Sequence, residues 1–137
     1  MIAVRIIQWI ARVAGLGALI LGLLFWIVQV DLISFHMLFG LTLALSLLVL
    51  GLVLVCTRGI RLLGAAGVVY ALILPAFGLR QAMLLVGSMH WLIQTVHLLV
   101  GLGALALVQL MDVRYTRLKR ASATVAESRA TAPRTMS

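Results

Sequence analysis

Three histidines are the residues of this chain best suited to chemistry, because imidazole can ligate a metal, bind a polar ligand or carry a proton. They are His36, His90 and His97, and all lie within or beside long apolar segments. Ionisable groups inside a membrane cost free energy and are functional candidates by default. His36 starts the sequence His-Met-Leu-Phe-Gly-Leu, and His97 starts His-Leu-Leu-Val-Gly-Leu. The repeat puts Gly40 and Gly101 one helical turn after a histidine.

Other catalytic groups are sparse. The acids Asp31, Asp112 and Glu127 lie at the ends of apolar segments or in the C-terminal tail, so they form no carboxylate pair in the sequence. The sequence contains no nucleophile-elbow motif and no glycine-rich phosphate loop. We therefore predict no catalytic residue, and whether the protein is an enzyme stays open.

The composition is that of a membrane protein. Of the 137 residues, 64% are hydrophobic and 10% are charged, whereas soluble domains are roughly 45–50% apolar and about 25% charged. Lipid must therefore solvate much of the surface. The net charge of +8 comes from basic residues at segment ends and in the tail. This distribution favours the lipid bilayer as the partner and argues against nucleic acid.

The apolar segments predict four transmembrane helices, each about as long as the 17–25 residues that cross the hydrocarbon. The spans are 13–30, 32–57, 62–79 and 91–111. The first is too long for a cleaved signal peptide. The predicted fold class is all-α, an integral membrane up-down four-helix bundle over residues 1–112. Residues 113–137 are predicted to be a basic, disordered cytoplasmic tail, since 121–137 has no apolar periodicity.

The basic residues predict the orientation. Eight of them lie before span one, between spans two and three, or just after span four: Arg5, Arg12, Arg58, Arg61, Arg114, Arg117, Lys119 and Arg120. Arg80 alone marks the other side. Because basic loops stay in the cytoplasm, both termini are predicted to be cytoplasmic, in a bacterial inner (plasma) membrane.

The predicted topology places the histidines where a cofactor could bind. Spans two and four are diagonal neighbours in an up-down bundle, and bundle cores often hold cofactors between facing helices. His36 and His97 would then be the metal ligands of a haem b, with Gly40 and Gly101 leaving room for the porphyrin. If depth is counted in residues from Arg58 for span two and from Asp112 for span four, His90 matches His36 better than His97 does. His90 is therefore kept as the substitute ligand or as a neighbouring group.

Paired histidines on the second and fourth helices resemble the haem-binding half of haem A synthase, and more loosely the b561-type cytochromes. The matching positions are His36 and His97, and the resemblance implies axial haem ligation by both. Met37 and Leu98 stand where haem A synthase commonly has arginine, and span one lacks the histidine of b561-type proteins. Residues 87–101 also resemble small bacterial four-helix membrane proteins, which imply no activity.

Two functions follow from these alternatives. The first is a b-type haem protein that transfers electrons near the outer face, to or from quinone or a redox partner protein. The second is a non-enzymatic accessory or structural subunit without a cofactor, in which His90 beside Trp91 is an interfacial residue. A quinone or another metal at the histidines, and an oligomer or larger membrane complex, also stay open.

The orientation is testable with a periplasm-dependent phosphatase. A reporter fused after Arg120 should be inactive, because that end is predicted to stay in the cytoplasm, and one inserted beside Arg80 should be active. The opposite pattern of activity would reverse the topology and move the histidines to the cytoplasmic face.

Overall fold

The protein consists of four long helices. The computed structural model describes residues 2–84 and 87–131. The helices are α1 (Ile2–Val28), α2 (Ile33–Val55), α3 (Arg61–Arg80) and α4 (His90–Thr131), with a short 3₁₀ helix at Gln81–Met83. All four are long and apolar enough to cross a membrane. The predicted class, an all-α four-helix membrane protein, is confirmed.

A local feature follows the end of each of α1 and α2 and allows the chain to turn tightly. After α1, Gln29 adopts a left-handed conformation with φ of 59°, and its side-chain amide donates to the carbonyl of Trp26 at 3.0 Å. This bond satisfies a carbonyl that the helix end leaves free. After α2, Gly59 has φ of 94°, a conformation that only glycine adopts without strain. These short turns make neighbouring helices antiparallel.

The helices form an up-down bundle. α2 packs most extensively against α3 and α1, while α4 packs against α1 and α3 and meets α2 across the core. α2 and α4 are therefore diagonal, as the sequence predicts. We call the end that carries Arg12, Arg61 and Arg114 the basic end, and the opposite end, which carries His36 and His90, the histidine end.

Packing is uneven along the bundle axis. The buried apolar core lies in the half nearer the basic end and includes Ala11, Ala14, Leu43, Leu47, Leu50, Leu54, Ala71, Ala104, Val108 and Met111. Toward the histidine end, in residues 19–42, 72–84 and 87–103, only Ile93 is buried among the described side chains. The histidine end is thus loosely packed.

Close contact between α2 and α3 depends on two glycines. A Cβ added at Gly51 would lie 2.8 Å from the backbone nitrogen of Val68, and one added at Gly64 would lie 2.7 Å from the carbonyl oxygen of Gly51. Both distances are too short for a real Cβ. Small residues let backbones approach closely in lipid, where dispersion forces rather than hydrophobicity hold helices together.

An ion pair joins α1 to α4 in the packed half. The Arg12 guanidinium donates to the Asp112 carboxylate, and the Thr116 hydroxyl donates to the same carboxylate at 3.4 Å. Both charged side chains are about three-quarters buried. Mutual pairing offsets part of the cost of removing each charge from water.

Two helices are longer than the predicted spans. α1 begins at Ile2, well before residue 13, and buries Gln8 and Ala11 against its neighbours. α4 has 42 residues, about 63 Å at 1.5 Å per residue. In the structure, residues 113–131, which the sequence assigns to the predicted tail, continue α4, and residues 132–137 lie outside the described chain. Alanine, arginine and glutamate favour helix, and extending an existing helix avoids the cost of nucleation.

The glycine contact gives a stability prediction. Gly64→Ala should destabilise the bundle by about 1–3 kcal/mol, the usual cost of overpacking a tight contact, and lower the thermal midpoint in detergent. Gly101→Ala is the matched control, because a Cβ there meets open space and alanine is the better helix former. Equal midpoints for the two variants would mean that α2 and α3 do not touch at Gly64.

Candidate functional site

His36 is oriented by α1. It lies in the first turn of α2, and its Nδ1 is 2.8 Å from the carbonyl oxygen of Ala18. A carbonyl can only accept, so the Nδ1–H donates and Nε2 carries the free lone pair. Metal-binding histidines commonly use this arrangement, since the second hydrogen bond sets both the tautomer and the ring direction.

His97 lies directly against His36. The two ring centroids are 5.9 Å apart and the ring planes are tilted by 57°. On its other side, the His97 ring stacks on Phe77 of α3, with centroids 5.8 Å apart and planes at 19°. Its Nδ1 is buried and has no hydrogen-bond partner within the described residues. A buried polar atom without a partner is costly and suggests a missing ligand or water.

Glycines surround the two rings with different amounts of space. A Cβ at Gly22 of α1 would lie 3.1 Å from Cε1 of His36, a tight contact to which the ring would have to yield by a small shift. A Cβ at Gly78 of α3 would be in ordinary contact with His97, at 3.5 Å. At Gly40 and Gly101, one turn below each histidine, nothing described lies within 4 Å of an added Cβ. Open space thus lies beside the glycine of each repeat.

His90 stands apart from this pair. It is the first residue of α4, and its backbone nitrogen donates to the carbonyl of Gly87 at 3.1 Å. His97 follows seven residues later, about 10 Å along the helix. The structure therefore brings together His36 and His97 and leaves His90 near the end of the bundle.

The depth count that favoured His90 was wrong because Asp112 does not mark a helix end. Asp112 lies inside α4, which continues to Thr131. Its charge is paired there with Arg12. Arg58, by contrast, lies in the turn after α2, so the two residues are unequal reference points.

The site offers two imidazoles and no charged ligand. In the described part of the chain, no group of three or more histidine, cysteine, aspartate or glutamate side chains is close enough to hold a metal ion. Asp112 is paired near the basic end, and Asp31 lies in the exposed turn before α2. A bare zinc or calcium ion needs four or more ligands, whereas two histidines suffice for a metal that brings its other ligands with it.

Four contacts of the site are not apparent as such in the sequence. They are the Ala18 carbonyl, Gly22, Phe77 and Gly78. Gly22 belongs to a stripe of small residues on α1 that predicts helix packing, but nothing in the sequence indicates that its neighbour is His36. The partner of a glycine or a carbonyl depends on how the helices are rotated against each other.

The chain matches no protein-family model, no curated protein and no solved structure. What the fold defines is therefore the class, a multi-pass membrane protein built as a four-helix bundle. The resemblance to haem A synthase and b561-type cytochromes stays a prediction.

The glycine beneath His36 can be tested directly. Gly22→Leu should push the imidazole away from the Ala18 carbonyl and lower the thermal midpoint in detergent, because the added side chain has no space. Ala106→Leu, an exposed alanine on α4, adds similar bulk toward lipid and should be tolerated. If Gly22→Leu is as stable as Ala106→Leu, α1 does not pack on His36.

Proposed function

We propose that the protein binds one haem b at the histidine end and transfers electrons there, with His36 and His97 as the axial ligands. The observation that carries the proposal is the contact of these two imidazoles, from diagonal helices, in the loosely packed half of the bundle. A porphyrin supplies four nitrogen ligands, so two histidines complete the iron coordination.

The ring separation suits this role. Metal–imidazole bonds of about 2.0–2.1 Å put the centroids of two opposed ligand rings about 6 Å apart, close to the 5.9 Å between His36 and His97. His36 already has the tautomer that leaves Nε2 free. The angle of 57° between the ring planes is compatible with this role, because a ligand ring can take any rotation about its bond to the metal.

The surroundings also suit a large apolar ring. Cofactor sites in helical bundles lie between facing helices, and here Gly40 and Gly101, one on each of the diagonal helices, have open space beside them. Phe77 supplies an aromatic wall behind His97. The packed core near the basic end would hold the four helices together around this opening.

The residues of the chain would then set the properties of the centre. Bound haem would supply one-electron chemistry. The Ala18 carbonyl would strengthen His36 as a ligand through its hydrogen bond, and the apolar walls would exclude water. We further propose that the membrane is a bacterial inner membrane with both termini in the cytoplasm. The centre would then face the outer side, where quinone or a redox protein exchanges the electron.

Histidine variants test the ligands. Protein purified from haem-supplied cells should show, when reduced, the sharp α-band of a six-coordinate low-spin b haem. His36→Ala and His97→Ala should each abolish the band or leave weakly held, five-coordinate haem. His90→Ala is the matched control and should keep the band. Loss of the band in His90→Ala but not in His97→Ala would reassign the ligand, and absence of a Soret band in the wild type would refute haem binding.

A second set of variants tests the space. Gly40→Leu and Gly101→Leu should lower the haem content several-fold, because their side chains fill the opening, while leaving the helicity and thermal midpoint of haem-free protein unchanged. Full haem content in both would mean that the cofactor, if bound, lies elsewhere.

The alternative is an accessory membrane subunit without a cofactor, and one contact favours it. His36 already has a hydrogen-bond partner in the Ala18 carbonyl, so it needs no ligand to satisfy Nδ1. In such a protein the rings would join α1, α2 and α4 by packing. It is the function that a protein without Soret absorption would support.

A further inference from the structure

A cleft at the basic end combines cationic and apolar walls. It lies between the start of α3 and the face of α4, has a volume of about 590 Å³, and is lined by Gly59, Ile60, Arg61, Leu62, Leu63, Leu110 and Arg114. Two arginines from different helices thus border a single cleft whose other side chains are apolar. Its volume is within the range of about 300–1,000 Å³ common for small-molecule sites.

The charges of the two arginines are not neutralised by an acidic side chain in the described ranges 2–84 and 87–131. Within the described residues, neither Arg61 nor Arg114 forms an ion pair, whereas Arg12 is neutralised by Asp112. Glu127 lies 13 residues beyond Arg114 on the same helix, about 20 Å away. Two guanidinium groups at one cleft favour an anion with several oxygen atoms, because each presents a planar set of donors.

The cleft lies at the ends of two apolar helical segments. Arg61 directly precedes the apolar segment of α3, and Arg114 follows that of α4. Just inside this boundary, Leu62 is 88% exposed and Leu110 is 44% exposed. In a membrane these side chains face acyl chains, while the arginines lie at headgroup level. This order, cation outside and leucine inside, matches the order of phosphate and acyl chain in a phospholipid.

We infer that the cleft binds one anionic phospholipid, with its phosphate between Arg61 and Arg114 and an acyl chain along Leu62 and Leu110. Basic pockets between transmembrane helices bind such headgroups. The lipid would connect α3 to α4 at the basic end. The inference requires only that the chain spans a membrane and is independent of haem binding.

Native mass spectrometry of detergent-purified protein tests this site. The probes are phosphatidylglycerol and phosphatidylcholine with identical acyl chains. The wild type should bind phosphatidylglycerol more tightly. Arg61→Gln with Arg114→Gln should weaken that binding by about tenfold or more, since both phosphate contacts are lost. Arg58→Gln with Arg117→Gln removes the same charge from the turn that precedes Arg61 and from the helix that carries Arg114, but from outside the cleft. This control should weaken binding by no more than about twofold.

Two further arms make the outcome decisive. Helicity and thermal midpoint without lipid should match the wild type in both double variants, because all four arginines are exposed. Glycerol phosphate, which has the headgroup without the chains, should not displace the lipid at equal concentration. Equal losses in the two double variants, equal binding of the two lipids, or displacement by glycerol phosphate would each overturn the inference.

Discussion

In hydrocarbon, every backbone amide and carbonyl must find its hydrogen-bond partner within the protein. For a chain of this composition, that constraint determines the helices and limits irregular backbone to the turns. Local features stabilise these turns. The Gln29 side chain donates a hydrogen bond to the Trp26 carbonyl, and Gly59 adopts a positive φ. Short turns place consecutive helices side by side and antiparallel. This up-down arrangement makes α2 and α4 diagonal.

Lipid removes the hydrophobic drive between helices, so contact must come from close packing. In the structure, most of the buried packing lies in the half nearer the basic end. Gly51 and Gly64 let α2 approach α3, and a partly buried ion pair joins α1 to α4 in the same half. Away from these contacts the helices bury little of each other. A bundle held firmly at one end can keep the other end open without losing its fold.

The two proposed sites differ in charge. At the histidine end, neutral imidazoles beside open apolar space suit a large ring that brings its own ligands. At the basic end, two guanidinium groups that have no counter-ion within residues 2–84 and 87–131 would suit an anion. Arg12, which is paired with Asp112, is unsuited to that role, although the sequence alone does not separate it from Arg61 or Arg114.

The sequence by itself determined the class, the four spans and the diagonal relation of the histidine helices, because apolar length, charge and short connections follow from local composition. The sequence also shows that Gly40 and Gly101 each follow a histidine by one helical turn. Only the tertiary structure decided that His97 rather than His90 meets His36, that Gly22 and Ala18 lie beside His36, and that Asp112 is internal. These facts depend on how each helix is rotated and shifted along its axis against its neighbours. Contacts between residues distant in the chain determine that rotation and that shift. Packing accounts for α4 as far as Leu118, since Tyr115 and Leu118 contact the core, and beyond them the exposed residues continue the helix because alanine, arginine and glutamate favour it.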